Sequence, residues 1–139
     1  MKGIIKLKFS KATNYALHTM LFLALNPPEK HIGVAKLAEK QDVSTTYLSK
    51  ILTKLVKAGM VESISGANGG YKLKMGWEDI SILDIIEAIE GQNPLFDYCL
   101  NHNPECLIQK AIESAEEKML DELRSRKLVE IANEVMSLN

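Results

Sequence analysis

Cysteine is nearly absent from this chain: Cys99 and Cys106 are its only two in 139 residues. Two cysteines cannot form the network of bridges that holds small secreted domains together, so a cytoplasmic location is the expectation. No run approaches the roughly 20 apolar residues that cross a bilayer, and a membrane partner is therefore not expected. Lys2, Lys6 and Lys8 precede the apolar run 20–25 in the manner of a signal peptide. His18 and Thr19 interrupt it, no small-residue cleavage site follows, and Asn26-Pro27-Pro28 reads as a helix stop, so export is not expected either. The sequence also lacks a carboxylate pair or Ser-His-Asp arrangement at catalytic spacing, internal repeats and low-complexity tracts. An enzyme is not expected.

What is present suits one domain with a real core, since 46% of the residues are hydrophobic. The net charge of −1 hides an asymmetry. Residues 1–75 hold 12 basic and four acidic side chains, a net of +8, whereas residues 76–139 hold five basic and 14 acidic ones, a net of −9. A basic first half suits a polyanion such as double-stranded DNA. A pair of ordinarily solvated faces would give the same totals.

Helical periodicity dominates. Ser10 reads as the N-cap of a helix to Leu25 that buries Ala16 or Leu17, Met20, Leu21 and Ala24. A short helix from Gly33 to Lys40 follows, then a tight connection at Gln41-Asp42-Val43. Ser44 caps a helix from Thr45 to Lys57 with Leu48, Ile51, Leu52 and Leu55 inward, stopped at Ala58-Gly59. Residues 60–64 and 71–75 alternate as a hairpin. Asp79 or Ser81 caps a further helix carrying Ile82, Ile85, Ile86 and Ile89, which ends at Gly91. Residues 92–103 read as a polar, irregular loop. Asn103-Pro104 then reads as the start of a long helix to Ser125, with Cys106 at its third position, and a short helix from Lys127 to Met136 closes the chain.

The order helix, helix, turn, helix, hairpin predicts a mainly α fold with a small β-hairpin: a winged helix-turn-helix domain plus a long C-terminal dimerisation helix. The expected division is 1–90 for the winged domain, 91–103 for a cysteine-containing sensor loop and 104–139 for the dimerisation and C-terminal helices. The long helix carries Ile108, Ile112, Ala115, Met119 and Leu123 along one side and glutamates along the other. Such a stripe needs an apolar partner, either a second copy or the protein's own first helix, and a homodimer is the expectation.

In the second helix of the turn unit, Ser44, Thr45, Thr46, Tyr47, Ser49, Lys50, Thr53 and Lys54 form the polar face, where short donors reach base edges and lysines reach phosphates. Lys2 and Lys8 add phosphate contacts. The glycine-rich stretch "SISGANGGYKLK" lacks the G-x-x-x-x-G-K-[ST] pattern, and a strand rather than a helix follows it, so it is not a nucleotide-binding loop. It reads as a wing tip in which Ser65, Asn68, Gly69, Gly70 and Lys72 approach the duplex. His18 reads as lying on a partly polar face of the first helix, His31 as a loop residue, and Trp77 as packing between wing and core.

"SKATNYALHTMLFLAL", "VSTTYLSKILTKLVKAGMVESISGANGGYKL" and "ISILDIIEAIEG" together resemble the Rrf-two family of bacterial transcription regulators, over nearly the whole chain. The resemblance implies a homodimeric winged-helix DNA-binding protein, usually a repressor, whose long helix forms the dimer interface. Where the family commonly places an arginine before the first wing glycine, this chain has Ser65, which implies a wing that positions more than it specifies. Members with an iron-sulfur cluster carry three cysteines before the dimer helix. Cys106 matches the last and Cys99 lies near the second. The first falls near Pro94, and the positions of additional ligands hold Gln109 and Asn14.

Read on their own chemistry, Cys99, His102 and Cys106 form C-x2-H-x3-C, three soft or borderline ligands lacking a fourth. A metal site, a reversible disulfide, a degenerate cluster site and no sensor role all remain open. The functional expectation is a sequence-specific DNA-binding regulator responding to a redox, metal or small-molecule signal. The alternative is a winged-helix protein-interaction adaptor without operator binding, and a thiol- or metal-dependent enzyme ranks behind it.

Overall fold

The structure is a computed structural model. It describes residues 6–7, 9–27, 29–91, 96–97 and 106–138. Its elements are β1 (Lys6–Leu7), α1 (Lys11–Leu25), α2 (Val34–Gln41), α3 (Thr45–Lys57), β2 (Val61–Ile64), β3 (Gly70–Leu73), a 3-10 turn (Trp77–Asp79), α4 (Ile82–Glu90), β4 (Phe96–Asp97), α5 (Leu107–Ser125) and α6 (Leu128–Ser137).

Three helices begin where a serine hydroxyl can satisfy an orphan amide. Ser10, Ser44 and Ser81 accept from the amides of Thr13, Tyr47 and Asp84 respectively. Of the two cap residues the sequence offered for α4, Ser81 takes the role, because Asp84 returns a carboxylate to the Ser81 amide at 2.9 Å and completes a capping box. Gly91 ends α4 at a φ of 80°, in the left-handed region that disfavours other residues.

The core gathers Ala16 and Met20 of α1, Leu37 of α2, Leu48, Leu52 and Leu55 of α3, Val61 of β2, Ile85 of α4 and Leu128 of α6. The inward face of α1 differs from the expected apolar stripe. Thr13 and Thr19 are buried, while Leu17, Leu21 and Ala24 are half-buried against the core. Both threonines are tolerated there because each hydroxyl is bonded: Thr13 donates to Glu90, and Thr19 accepts from the Gln41 side chain at 2.7 Å. In α4, Leu83 is buried alongside Ile85 and Ile86, and Ile82 and Ile89 are only half-buried.

β2 and β3 pair antiparallel with Val61 opposite Leu73 and Ile64 opposite Gly70. Ile32 adds a third partner to the hairpin, exchanging backbone hydrogen bonds with Tyr71 at 3.0 and 2.8 Å. β1 and β4 form a separate antiparallel pair, so the segment expected to be wholly irregular contains a strand at 96–97. A two-residue strand carries no periodicity to read, and its partner lies some 90 residues away in sequence.

The start of α5 also corrects the sequence reading. Asn103 and Pro104 lie outside the described residues, and the helix has Cys106 as its N-cap rather than at its third position. The cysteine sulfur accepts the Gln109 amide at 3.4 Å and fills the role a serine oxygen would fill. α6 then returns to the first unit: the Leu128 amide donates to Ile80, the Ile82 amide donates to Arg126, and Leu128 and Ala132 are buried.

Candidate nucleic-acid interface

α3 turns Leu48, Ile51, Leu52 and Leu55 into the core, and the opposite face is what solvent meets. Thr45, Thr46, Lys50 and Lys54 are exposed on it, Tyr47 is 37% exposed, and Ser49 is half-buried. Two of the expected DNA-facing hydroxyls already have partners. Ser44 accepts the Tyr47 amide at 3.1 Å, and Thr53 donates to the Ser49 carbonyl at 2.8 Å. Thr45 and Thr46 are therefore the better-placed groups for base edges, and Lys50 and Lys54 for phosphates.

The position of α3 is fixed from three sides. Asp42 adopts the left-handed conformation at φ 54° and turns the chain sharply between α2 and α3. Gln41 ties the same turn to Thr19 of α1. The Tyr47 ring meets Tyr15 of α1 edge to face, with centroids 5.7 Å apart. Tyr47 is thus held by its ring while its outer edge stays open.

On the wing, Ser65 and Asn68 are exposed at the tip. Lys72 lies across the hairpin from Glu62 and pairs with it at 3.4 Å. Gly69 and Gly70 are half-buried and act through shape. A side chain at Gly69 would place its first carbon 2.1 Å from the Ile64 carbonyl oxygen, and one at Gly70 would sit 2.6 Å from the Ile32 carbonyl. Lys2 and Lys8, expected to reach phosphates, lie outside the described residues, as do Cys99 and His102. Cys106 is described as a free, half-buried thiol. Among the described residues no three His, Cys, Asp or Glu side chains gather at a metal-binding spacing.

One residue of this region escaped the sequence reading. Glu90, the last residue of α4, accepts from the Ser10 amide at 2.7 Å and from the Thr13 hydroxyl. Burial acts to raise its carboxyl. The bonds from Thr13 and Ser10, together with the nearby Lys54 ammonium, outweigh that and hold it below the usual carboxylate range. The sequence does hold a signal for it: an acid at the C-terminal end of a helix opposes the macrodipole and calls for a compensating partner elsewhere.

Because the folded-state value is depressed, the stabilisation by Glu90 is complete above the unfolded carboxylate range, near about pH 4.3, and disappears as pH falls through the folded value. Glu90→Gln should accordingly lower the melting temperature by a few degrees at pH 7. The gap between variant and parent should close as thermal melts are taken toward pH 3. A gap that stays constant with pH would show that the charge plays no part.

A capped helix with an open polar face, positioned by a tight turn and flanked by a hairpin, is the architecture of the winged helix-turn-helix class of DNA-binding transcription regulators. The chain belongs to the Rrf2 family, whose model, described as iron-dependent transcriptional regulator, matches residues 9–134. It is 31% identical over 116 residues to the HTH-type transcriptional regulator NsrR of Halalkalibacterium halodurans, covering 78% of this chain and 79% of that relative. The fold is similar to that of CymR (YrzC), the global cysteine regulator of B. subtilis, with TM-score 0.80 and 28% identity over 92% of this chain and 98% of the other. It is likewise similar to T. potens IscR, with TM-score 0.74 and 30% identity over 93% and 88% of the two chains.

Proposed function

We propose that the protein is a cytoplasmic homodimeric repressor. Each copy places α3 in one of two successive major grooves, about 34 Å apart, with its wing alongside the duplex. The observation that carries this reading is the pairing of an open polar face on α3 with an uncovered apolar ridge on α5. Leu107 and Ile108 are 78% and 71% exposed, Ala115 is exposed, and Ile112, Met119 and Leu123 are only half-buried. α5 packs against α4 along part of its length, and among its described residues only Glu116 is buried. A second α5 would cover the remaining ridge and set the spacing of the two α3 helices.

Bound across a promoter, such a dimer blocks transcription. Its signal enters through residues 91–106, which carry Cys99 and His102 and lead into the Cys106 cap of α5. Oxidation, metal binding or a small molecule acting on that segment would alter the start of the dimer helix.

Two measurements test the reading. Ile112→Asp should place a charge in the interface and, by sedimentation at micromolar concentration, convert the dimer to a folded monomer, with DNA affinity falling at least about a hundredfold as bivalency is lost. A variant that remains dimeric would remove α5 as the interface. In fluorescence anisotropy with operator and unrelated duplexes, Lys54→Ala should weaken binding to both alike. Thr46→Ala should cost about 1–3 kcal/mol on the operator and relax its sequence preference. Failure to bind any duplex would favour an adaptor.

A further inference from the structure

The wing, the C-terminal end of α1 and the turn at residues 74–78 surround a hollow of about 490 Å³, of whose lining only Lys72 also belongs to the expected DNA-binding surface. Its volume is that of a small-molecule site. Leu23, Leu73 and Trp77 supply apolar lining, and Lys30, Lys72 and Lys74 supply positive charge. Two carboxylates, Glu62 and Glu78, also line it. Glu62 is engaged by Lys72 across the hairpin. Among the described residues neither Lys30 nor Lys74 has a carboxylate within ion-pair distance. With the Lys72–Glu62 pair set aside, an apolar lining with two uncommitted ammonium groups against the single carboxylate of Glu78 keeps a net positive charge and suits an apolar anion.

We propose that this hollow binds a small amphipathic organic anion, with its aromatic or branched apolar body against Trp77 and its single carboxylate or sulfonate directed to Lys30 and Lys74. The hollow has β3 on one side and the end of α1 on another, so an occupant fixes the angle of the wing to the helical body. Its role as an effector rests on the DNA-binding reading above. Occupancy of the hollow does not.

Trp77 is the only tryptophan in the chain and reports on the site directly. The probe is 8-anilinonaphthalene-1-sulfonate, titrated into the full-length protein with tryptophan emission followed. Saturable quenching at one equivalent per chain is expected. Lys30→Gln combined with Lys74→Gln should weaken it about tenfold with the fold intact by circular dichroism, whereas Met136→Asp, at an exposed apolar residue of α6 outside the hollow's lining, should leave it unchanged. Trp77→Phe should keep the enhanced probe fluorescence and lose the energy transfer that excites it. Quenching as strong in the double lysine variant as in the parent overturns the site.

The titration is then repeated with saturating duplex. Coupling between sites is reciprocal, so an effector must show a changed probe affinity, expected to be at least about threefold. An unchanged affinity on a protein that does bind duplex overturns the effector role. A protein that shows the lysine-dependent site but binds no duplex retains the site and loses the DNA-binding reading.

Discussion

Replacing Gly70 with alanine is expected to lower the melting temperature by about 10 °C and to weaken DNA binding more than any single contact residue on the wing. Two costs coincide there. The backbone stands at φ 148°, which side-chain-bearing residues rarely adopt, and the added carbon falls 2.6 Å from the Ile32 carbonyl, well inside contact distance. The neighbour is backbone and cannot rotate aside. Relief requires breaking the Ile32–Tyr71 bridge that joins the wing to the helical body. Overpacking and strain of this kind cost about 3 kcal/mol in all, which for a chain of this size corresponds to the shift stated. Gly59→Ala supplies the comparison: it also has positive φ, but nothing lies within 4 Å of the added carbon, so its cost should be about 1 kcal/mol. Equal losses for the two variants would show that conformation alone, without the close approach to Ile32, explains the wing glycines.

The second large effect is that of salt. If Lys50, Lys54 and Lys72 together with Lys2 and Lys8 meet phosphates in both protomers, raising salt from 50 to 200 mM should reduce affinity about 10³–10⁵-fold, with a linear plot of log affinity against log salt. Lys54→Ala should reduce the magnitude of that slope by about 1 for each phosphate contact it removes. The acidic second half, with a net of −9, steepens the discrimination further, because any orientation that brings α5 toward the duplex is repelled. A flat salt profile would sink the proposed mode of binding, whatever the family.

Much of this fold can be read from local chemistry. Ser10, Ser44 and Ser81 mark helix starts because a hydroxyl beside an apolar-periodic run has one obvious use, and Gly59 and Gly91 mark stops because both positions need positive φ. The polar face of α3 follows from the same periodicity, since whatever α3 does not bury it must display. Other features depend on partners far away in sequence. Nothing local to Thr13 announces that its hydroxyl meets Glu90, and nothing in residues 96–97 announces pairing with 6–7. Cys106 illustrates competition between two plausible caps: proline chemistry pointed to Asn103, and the thiol took the role three residues later. Thr53 shows the reverse, a residue on the right face whose hydroxyl is already committed to its own helix.

The bonds that join Leu128 to Ile80 and Ile82 to Arg126 have a topological meaning. The chain leaves the DNA-reading head at Gly91 and is fastened back onto it at Leu128, so everything between is a closed loop rather than a free tail. Lengthening such a loop raises its closure cost only slowly, by about 0.6 kcal/mol for each doubling. Residues 92–105 can therefore differ greatly in length and composition without loosening the head, while α5 remains a strut pinned at its far end. A segment of different length can be inserted into this circuit, and the part that reads DNA need not be rebuilt.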